Sequence, residues 1–514
     1  MYYNDPMVRR GLKIVSVFFF ILVFIFVTGK LFAPARTEQF LYLFKKVDQS
    51  AEETLVIGLS SGINSFDPTT GTVANRQVLL NIYEGIVFVD RNLEIQPGLA
   101  VTVGSVDDVT WEFRLRPGVL FHNGNTLTLD DVSASLAYAR RDDSGIKNIL
   151  DTIDTFEKVT DDIFRIKTTS PDPLFLQKLA RVLVFPKNAE SIIGKEPVGT
   201  GPYTLKTVRE GNVVLERYPE YWGITPSFKS VWLETLSSRR ERQNSLFQNS
   251  VDLLVDVPPE LSLELEGRED VPYVFETLPS LEGAFLLFGF NGIMGDHRLR
   301  SAIYLTLDRT EIARLGFGFV RPSTQFVSPG IHGFNPGIVL PKIDTERAAS
   351  LVKEVSPLDR VSGALDVPLG FEALGTFIQE SLADIGIDLE VRLHEPQILE
   401  EKIKKHESDF HFFGWRSELA DAGEFFDAVV KSSGEYAPPG YRNEDLDARL
   451  DAVRFENDPV KRLQELRDIM RVAVTEDIIG IPLFTPQILY AISKDIIWTP
   501  RVDGYVIAQE VRRR

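Results

Sequence analysis

An α/β fold of more than one domain is predicted here on three observations. The chain is 514 residues long, enough to bury a sizeable core and to divide into domains. Short runs with strand character, such as Val213 to Arg217 and Val231 to Leu236, interleave with stretches of helical period. After residue 50 no internal repeat or low-complexity tract interrupts this alternation.

In chain order, the first element is apolar. Leu12 to Phe32 supplies about 20 residues, enough to cross a bilayer as a helix, and Lys13 and Lys30 can snorkel at its ends. Basic residues flank it on both sides, so counting them does not set its orientation. A retained membrane anchor is the expectation. The alternative is a cleaved signal peptide, for which Ala33 and Ala35 offer an A-x-A site. Residues 33–50 are mixed and charged and read as a juxtamembrane linker. The folded body should then start with the strand Thr54 to Leu59.

Phe121 to Arg141 reads as a turn followed by a capped helix. Asn123 and Gly124 tolerate positive φ and give a chain reversal. Thr128 caps the helix by accepting from the amide near Asp131, while Val132, Leu136 and Ala139 share one face. Later, Phe377, Ile378, Leu382 and Ile385 make an apolar stripe that ends near Gly386, and IDLEVRL follows as a strand. Leu446, Leu450 and Val453 make another stripe. Asp458 caps a further helix with Pro459 at its first position and Leu463, Leu466 and Ile469 along its face.

Composition narrows the function. With 74 acidic against 56 basic residues the formal charge is −18, which argues against a nucleic-acid partner. Zero cysteines exclude disulfides, thiolate metal sites, cysteine nucleophiles and attachment through a lipid-modified cysteine.

Several blocks then carry a family likeness. WEFRLRPGVLFHNG and the following LTLDDV, LVIGLSSGINSFDPTT, NIYEGIVFVD, VGTGPYTLK, LERYPEYWG, FGFNGIMGDHRLRSAIYLTLDRTEI and GYRNEDLDARLDAV stand in one order along the body. Together they resemble the signature blocks of the extracellular solute-binding proteins of family 5, the dipeptide- and oligopeptide-binding subunits of ABC importers. The resemblance implies a bilobal periplasmic-binding-protein-like fold (class II) with an extra subdomain in lobe I. By that analogy residues 51–68, 195–275 and 480–514 form lobe I, 69–194 the inserted subdomain and 276–479 lobe II. Residues 1–11 become a cytoplasmic tail ahead of the transmembrane helix 12–32, with the body extracytoplasmic. Secretion after signal cleavage is the alternative.

The resemblance also points to a site. GWRSELADAGEFF, Gly414 to Phe426, is similar to the family's ligand loop, with Trp415, Asp421 and Phe425 in register. Glu418 occupies the acidic position that pairs with a peptide's α-ammonium in relatives. A carboxylate in a closing, water-excluding cleft attracts an ammonium strongly. Trp415 would wall or stack on the ligand, and Asp421 would contact it or cap the helix starting near Glu424. Ser61 and Gly62 would line the cleft with backbone groups. The family's proline is replaced by Ala422 and Gly423, which should loosen the loop. Some dipeptide-binding relatives clamp the ligand's carboxylate with an arginine on the helix that here reads LGFEALGTFIQESLADIG, and no arginine occurs in it.

Other chemistries find little support. Gly58-Leu59-Ser60-Ser61-Gly62 fits a nucleophile-elbow pattern after a strand, but loop residues follow where that motif needs a helix. The six histidines are scattered without metal-ligand spacing, and Gly199-Thr200-Gly201 lacks a phosphate-loop lysine. The expectation is therefore a binding protein without catalysis, cofactor or metal. The resemblance implies a monomeric body that captures peptides and delivers them to ABC permease subunits with their ATPases. The alternatives are a binding protein for another solute (sugar, opine or metal chelate) and a tethered receptor that does not transport.

Overall fold

Alternating burial builds the first lobe. In the computed structural model of the chain, which describes residues 53–514 other than 210, 266, 267, 269, 270, 316–318 and 340, the first strand is Thr54–Leu59. Leu55, Ile57 and Leu59 enter one core with Tyr203, Leu215 and Val231, whereas Gly58 faces the other way, close against Leu254 and Leu236. This strand lies parallel to Ser230–Thr235 on one side and Leu253–Val255 on the other. The expected tail at 1–11, transmembrane helix at 12–32 and linker at 33–50 fall outside the described residues. Among the described residues no helix is long and apolar enough to cross a membrane.

A second sheet follows the same logic with both faces covered. Leu286 and Phe288 of the strand Glu282–Phe288, with Phe410 and Phe412 of Phe410–Arg416, pack beneath the helices His297–Thr306 and Glu372–Ala383. Phe285, Leu287 and Phe413 point to the opposite core, shared with the helices Glu444–Val453 and Pro459–Arg471. Gly386, at φ +95, ends Glu372–Ala383 and releases the strand Ile387–His394. Asp458 accepts from the amides of Val460 and Lys461, as expected of an N-cap. Leu466 and Ile469 of that helix are buried, and Leu463 only partly.

The strand Gly480–Ser493 joins the two sheets. Its first half pairs with Glu282–Phe288 and its second half with Leu253–Val255 and Tyr273–Pro279, giving a continuous sheet of 12 strands. The chain crosses between the halves twice, at Ser280–Leu281 and at Thr485–Pro486, and the Ser280 amide donates to the Pro486 carbonyl at 2.9 Å. Two α/β lobes thus share one strand.

Between the strands Thr54–Leu59 and Tyr203–Arg209 the chain forms a separate four-stranded antiparallel sheet. Its core holds Phe113, Phe121, Phe164 and Phe175 with Val132, Leu136 and Ala139 of the helix Leu129–Ala139. That helix starts in a capping box formed by Thr128 and Asp131. Both the Thr128 amide and its hydroxyl donate to Asp131 Oδ2, at 2.9 and 2.6 Å, because the carboxylate reaches back over the helix start. Gly124 takes the positive φ of the preceding turn.

Candidate functional site

The loop after the strand Phe410–Arg416 is where the second lobe meets the first. Arg416 and Trp415 still pair with Glu282 and Gly283, and then the chain leaves the sheet. The Ser417 amide donates to Leu281 O at 3.1 Å, Ala420 turns at φ +56, and the His332 backbone brackets Asp421, donating to Ala420 O and accepting from the Ala422 amide. Glu418 and Leu419 are thereby held out over the first lobe.

Asp421 secures this loop from below. It caps the short helix Ala422–Phe425 through the Gly423 amide and receives both Nη atoms of Arg462, at 2.5 and 2.8 Å, with His332 Nδ1 at 3.0 Å. Burial alone would raise its pKa, yet the hydrogen bonds from Arg462 and His332 hold it below the ordinary carboxylate range. A side chain at position 423 would lie 2.8 Å from Asp421 Oδ1. Gly423 therefore permits the buried ion pair, which restrains the loop where the sequence reading expected the missing proline to loosen it.

Glu418 crosses to the first lobe. Its Oε2 accepts from Arg181 Nη1 at 2.9 Å. Arg416 Nε lies 3.2 Å from Oε1, an ion-pair contact whose direction makes no hydrogen bond. Arg181 follows the helix Phe175–Leu179 of the inserted sheet, and Arg76, from the helix Val73–Leu79, donates to Ala180 O and Arg181 O. The C-terminal segment closes the side: Arg501 pairs with Asp503 and Glu510, and Arg416 Nη2 donates to Asp503 O.

Two cavities flank this crossing and share Leu419 as a wall. One, of about 400 Å³, is lined by Tyr83, Trp222 and Leu183 with Arg76, Arg181 and Glu418. Glu84 also borders it, accepting from Trp222 Nε1, Tyr221 OH and Thr200 Oγ1, while burial pushes its carboxyl up to about 7. The other, of about 440 Å³, lies between the inserted sheet and the second lobe and meets Lys178, Trp415, Glu424, Asp427 and Arg454. Trp415 packs edge-on to Phe425 and Tyr436, and its indole N–H is buried with no acceptor among the described residues.

Of the residues singled out from sequence, the fold brings Glu418, Trp415 and Asp421 together. Glu418 borders the first cavity and Trp415 the second, with Asp421 packed beneath. Ser61 is exposed, Gly62 rests near Thr235 Oγ1, and neither lines either cavity. Ser60 donates to Asp256 Oδ2 at 2.6 Å, and the chain runs on as loop until Val73. Arg76 and Arg181 lie outside every signature block, whereas Glu84 and Glu424 stand inside NIYEGIVFVD and GWRSELADAGEFF without having been singled out as site residues.

Comparison with known proteins agrees with the two-lobed fold. The chain is 23% identical over 476 residues to the glutathione-binding protein GsiB of Salmonella typhi, covering 87% of this chain and 91% of that protein. Its fold matches the periplasmic binding protein DppA of Helicobacter pylori, solved with the peptide STSA, at a TM-score of 0.73 and 21% identity, over 91% of this chain and 99% of that one. A nickel ABC transporter structure from Bacillus halodurans matches at a TM-score of 0.76 and 23% identity, over 90% of this chain and 100% of that one. The family model described as the bacterial extracellular solute-binding proteins, family 5 (middle) matches residues 94–437. With well over half of its length under that model and two lobes meeting over a lined cleft, the chain belongs to the bacterial extracellular solute-binding proteins, family 5.

Proposed function

We propose that this chain captures peptides between its lobes and delivers them to the permease subunits of an ABC importer, tethered to the membrane by residues 12–32. The observation that carries the reading is Glu418, a carboxylate held at the lobe edge and already engaged with a cation from the opposite side. A peptide's α-ammonium takes the place of Arg181 there, Trp415 walls the ligand, and Asp421 keeps the loop in register. Chemistry at the cleft is recognition alone, and the energy for transport comes from the partner ATPases. Glutathione, named for the Salmonella relative, is itself a tripeptide, and the Helicobacter structure holds a tetrapeptide.

The test is native mass spectrometry of the full-length chain purified without refolding. Co-purifying peptides are the expected result. A single sugar or opine would replace the peptide reading, and a bound metal chelate would favour the ligand type suggested by the nickel-transporter likeness. Glu418→Gln removes the charge at nearly constant shape and should weaken peptide binding about tenfold or more, since a charge-assisted hydrogen bond is lost. Unchanged affinity in that variant rules out ammonium recognition at Glu418.

A further inference from the structure

Of the three arginines that line the first cavity, Arg501 takes both Asp503 and Glu510, which leaves Arg76 and Arg181 with Glu418 as the nearest carboxylate. Arg76 and Arg181 are 7% and 8% exposed, and both border the cavity of about 400 Å³. Arg76 spends its described hydrogen bonds on two backbone carbonyls, and among the described residues no carboxylate lies within ion-pair distance of it. Burial, with the charge of Arg181 next to it, lowers its pKa to about 9. Arg181 must share Glu418 with Arg416, and its own Nε is buried without an acceptor among the described residues. A guanidinium taken from water needs acceptors for its N–H groups. The cavity edge thus carries an unmet demand for an anion.

From this we infer that Arg181, backed by Arg76, recognises a carboxylate of the ligand. Resting on the reading of the cleft as a peptide site, binding is an exchange of partners. Arg181 and Glu418 come from opposite sides of the cleft, so a zwitterion entering between them inherits both halves of the ion pair. Its ammonium takes Glu418 and its carboxylate takes Arg181, with Nε as a second donor, and no charge is left buried alone. The ligand class is a short peptide with a free C-terminal carboxylate. Side chains go against Tyr83, Leu183, Trp222 and Leu419. This also supplies a cationic clamp from the first lobe, where the second-lobe helix Glu372–Ala383 has none.

The experiment presents an equimolar tripeptide pool to the immobilised full-length chain, once as free acids and once as C-terminal amides, and reads bound peptides by mass spectrometry. Wild type should retain acids over amides about tenfold or more. Arg181→Gln should lose the preference and Arg181→Lys keep part of it. The acid-to-amide ratio on wild type needs no substitution, so a variant that misfolds does not stall the test. Equal retention of acids and amides by wild type, or an unchanged preference in folded Arg181→Gln, overturns the proposal and leaves peptide capture standing. Retention of neither pool overturns peptide capture, and melting with citrate then decides the role of Arg181. A stabilisation that Arg181→Gln abolishes upholds anion recognition, and no stabilisation of wild type rejects it.

Discussion

Glu424 stands six residues after Glu418 and in the opposite electrostatic condition. Its Oε2 accepts from the Leu419 amide at 2.8 Å, but burial, reinforced by Asp421 and Glu418, pushes its carboxyl up to about 8. An unfolded glutamate titrates at about 4.3. Between those values the folded state binds more protons, so Glu424 costs stability progressively as pH rises through the window and by a constant amount above it. Glu424→Gln should therefore unfold at higher urea concentration than wild type at pH 8.5, by up to about 5 kcal/mol, and match it near pH 4. Equal midpoints at both pH values would show that the carboxyl is not held protonated. Register alone exposed Glu418, Trp415 and Asp421 in the sequence. Arg181 escaped because its partner is 237 positions away, and an arginine at a helix end reads as a solvated residue until the fold brings a carboxylate to it.

Two sequence blocks that looked independent prove to be one joint. His122 of the FHNG turn sits between Gly199 and Gly201 of the GTGPY block: its Nδ1 accepts from the Gly199 amide at 3.3 Å and its Nε2 donates to Gly201 O at 3.0 Å. Burial lowers its pKa to about 4, so the ring is neutral and the two bonds fix its tautomer. A side chain at position 199 would lie 2.1 Å from Ile82 O, which no small shift relieves. Gly199→Ala should cost at least about 2 kcal/mol in a urea unfolding series, and a smaller loss would mean that the helix Val73–Leu79 can retreat. Helices with one wet face were legible from period and caps, as at Glu444–Val453, and the short strand Thr54–Leu59 was legible from its apolar run. The strand Gly480–Ser493 was not, since it is buried on both faces and contains Pro482 and Pro486, residues that argue against a central strand.

Lobe closure belongs to the whole molecule and can be measured on it. The chain has no cysteine, so spin labels can be placed at will. Val106 on the inserted sheet and Leu358 on the second lobe are 53% and 95% exposed and suit labelling as V106C and L358C. Electron-spin distance measurements on that double variant should show a distribution that shifts or narrows when peptide is added. An identical distribution with and without a ligand of proven affinity would mean that capture occurs without hinge motion. The bilobal plan was readable from its signature blocks, whereas the meeting of inserted sheet, second lobe and C-terminal segment around Glu418 depends on contacts that span most of the chain. The shared strand has a further consequence for how the molecule is made. Because Gly480–Ser493 is synthesised after nearly all of both sheets, each half must wait with an open edge until the last stretch emerges. A nascent chain is therefore exposed to edge-to-edge association, and to holdase chaperones, for almost the whole of its synthesis.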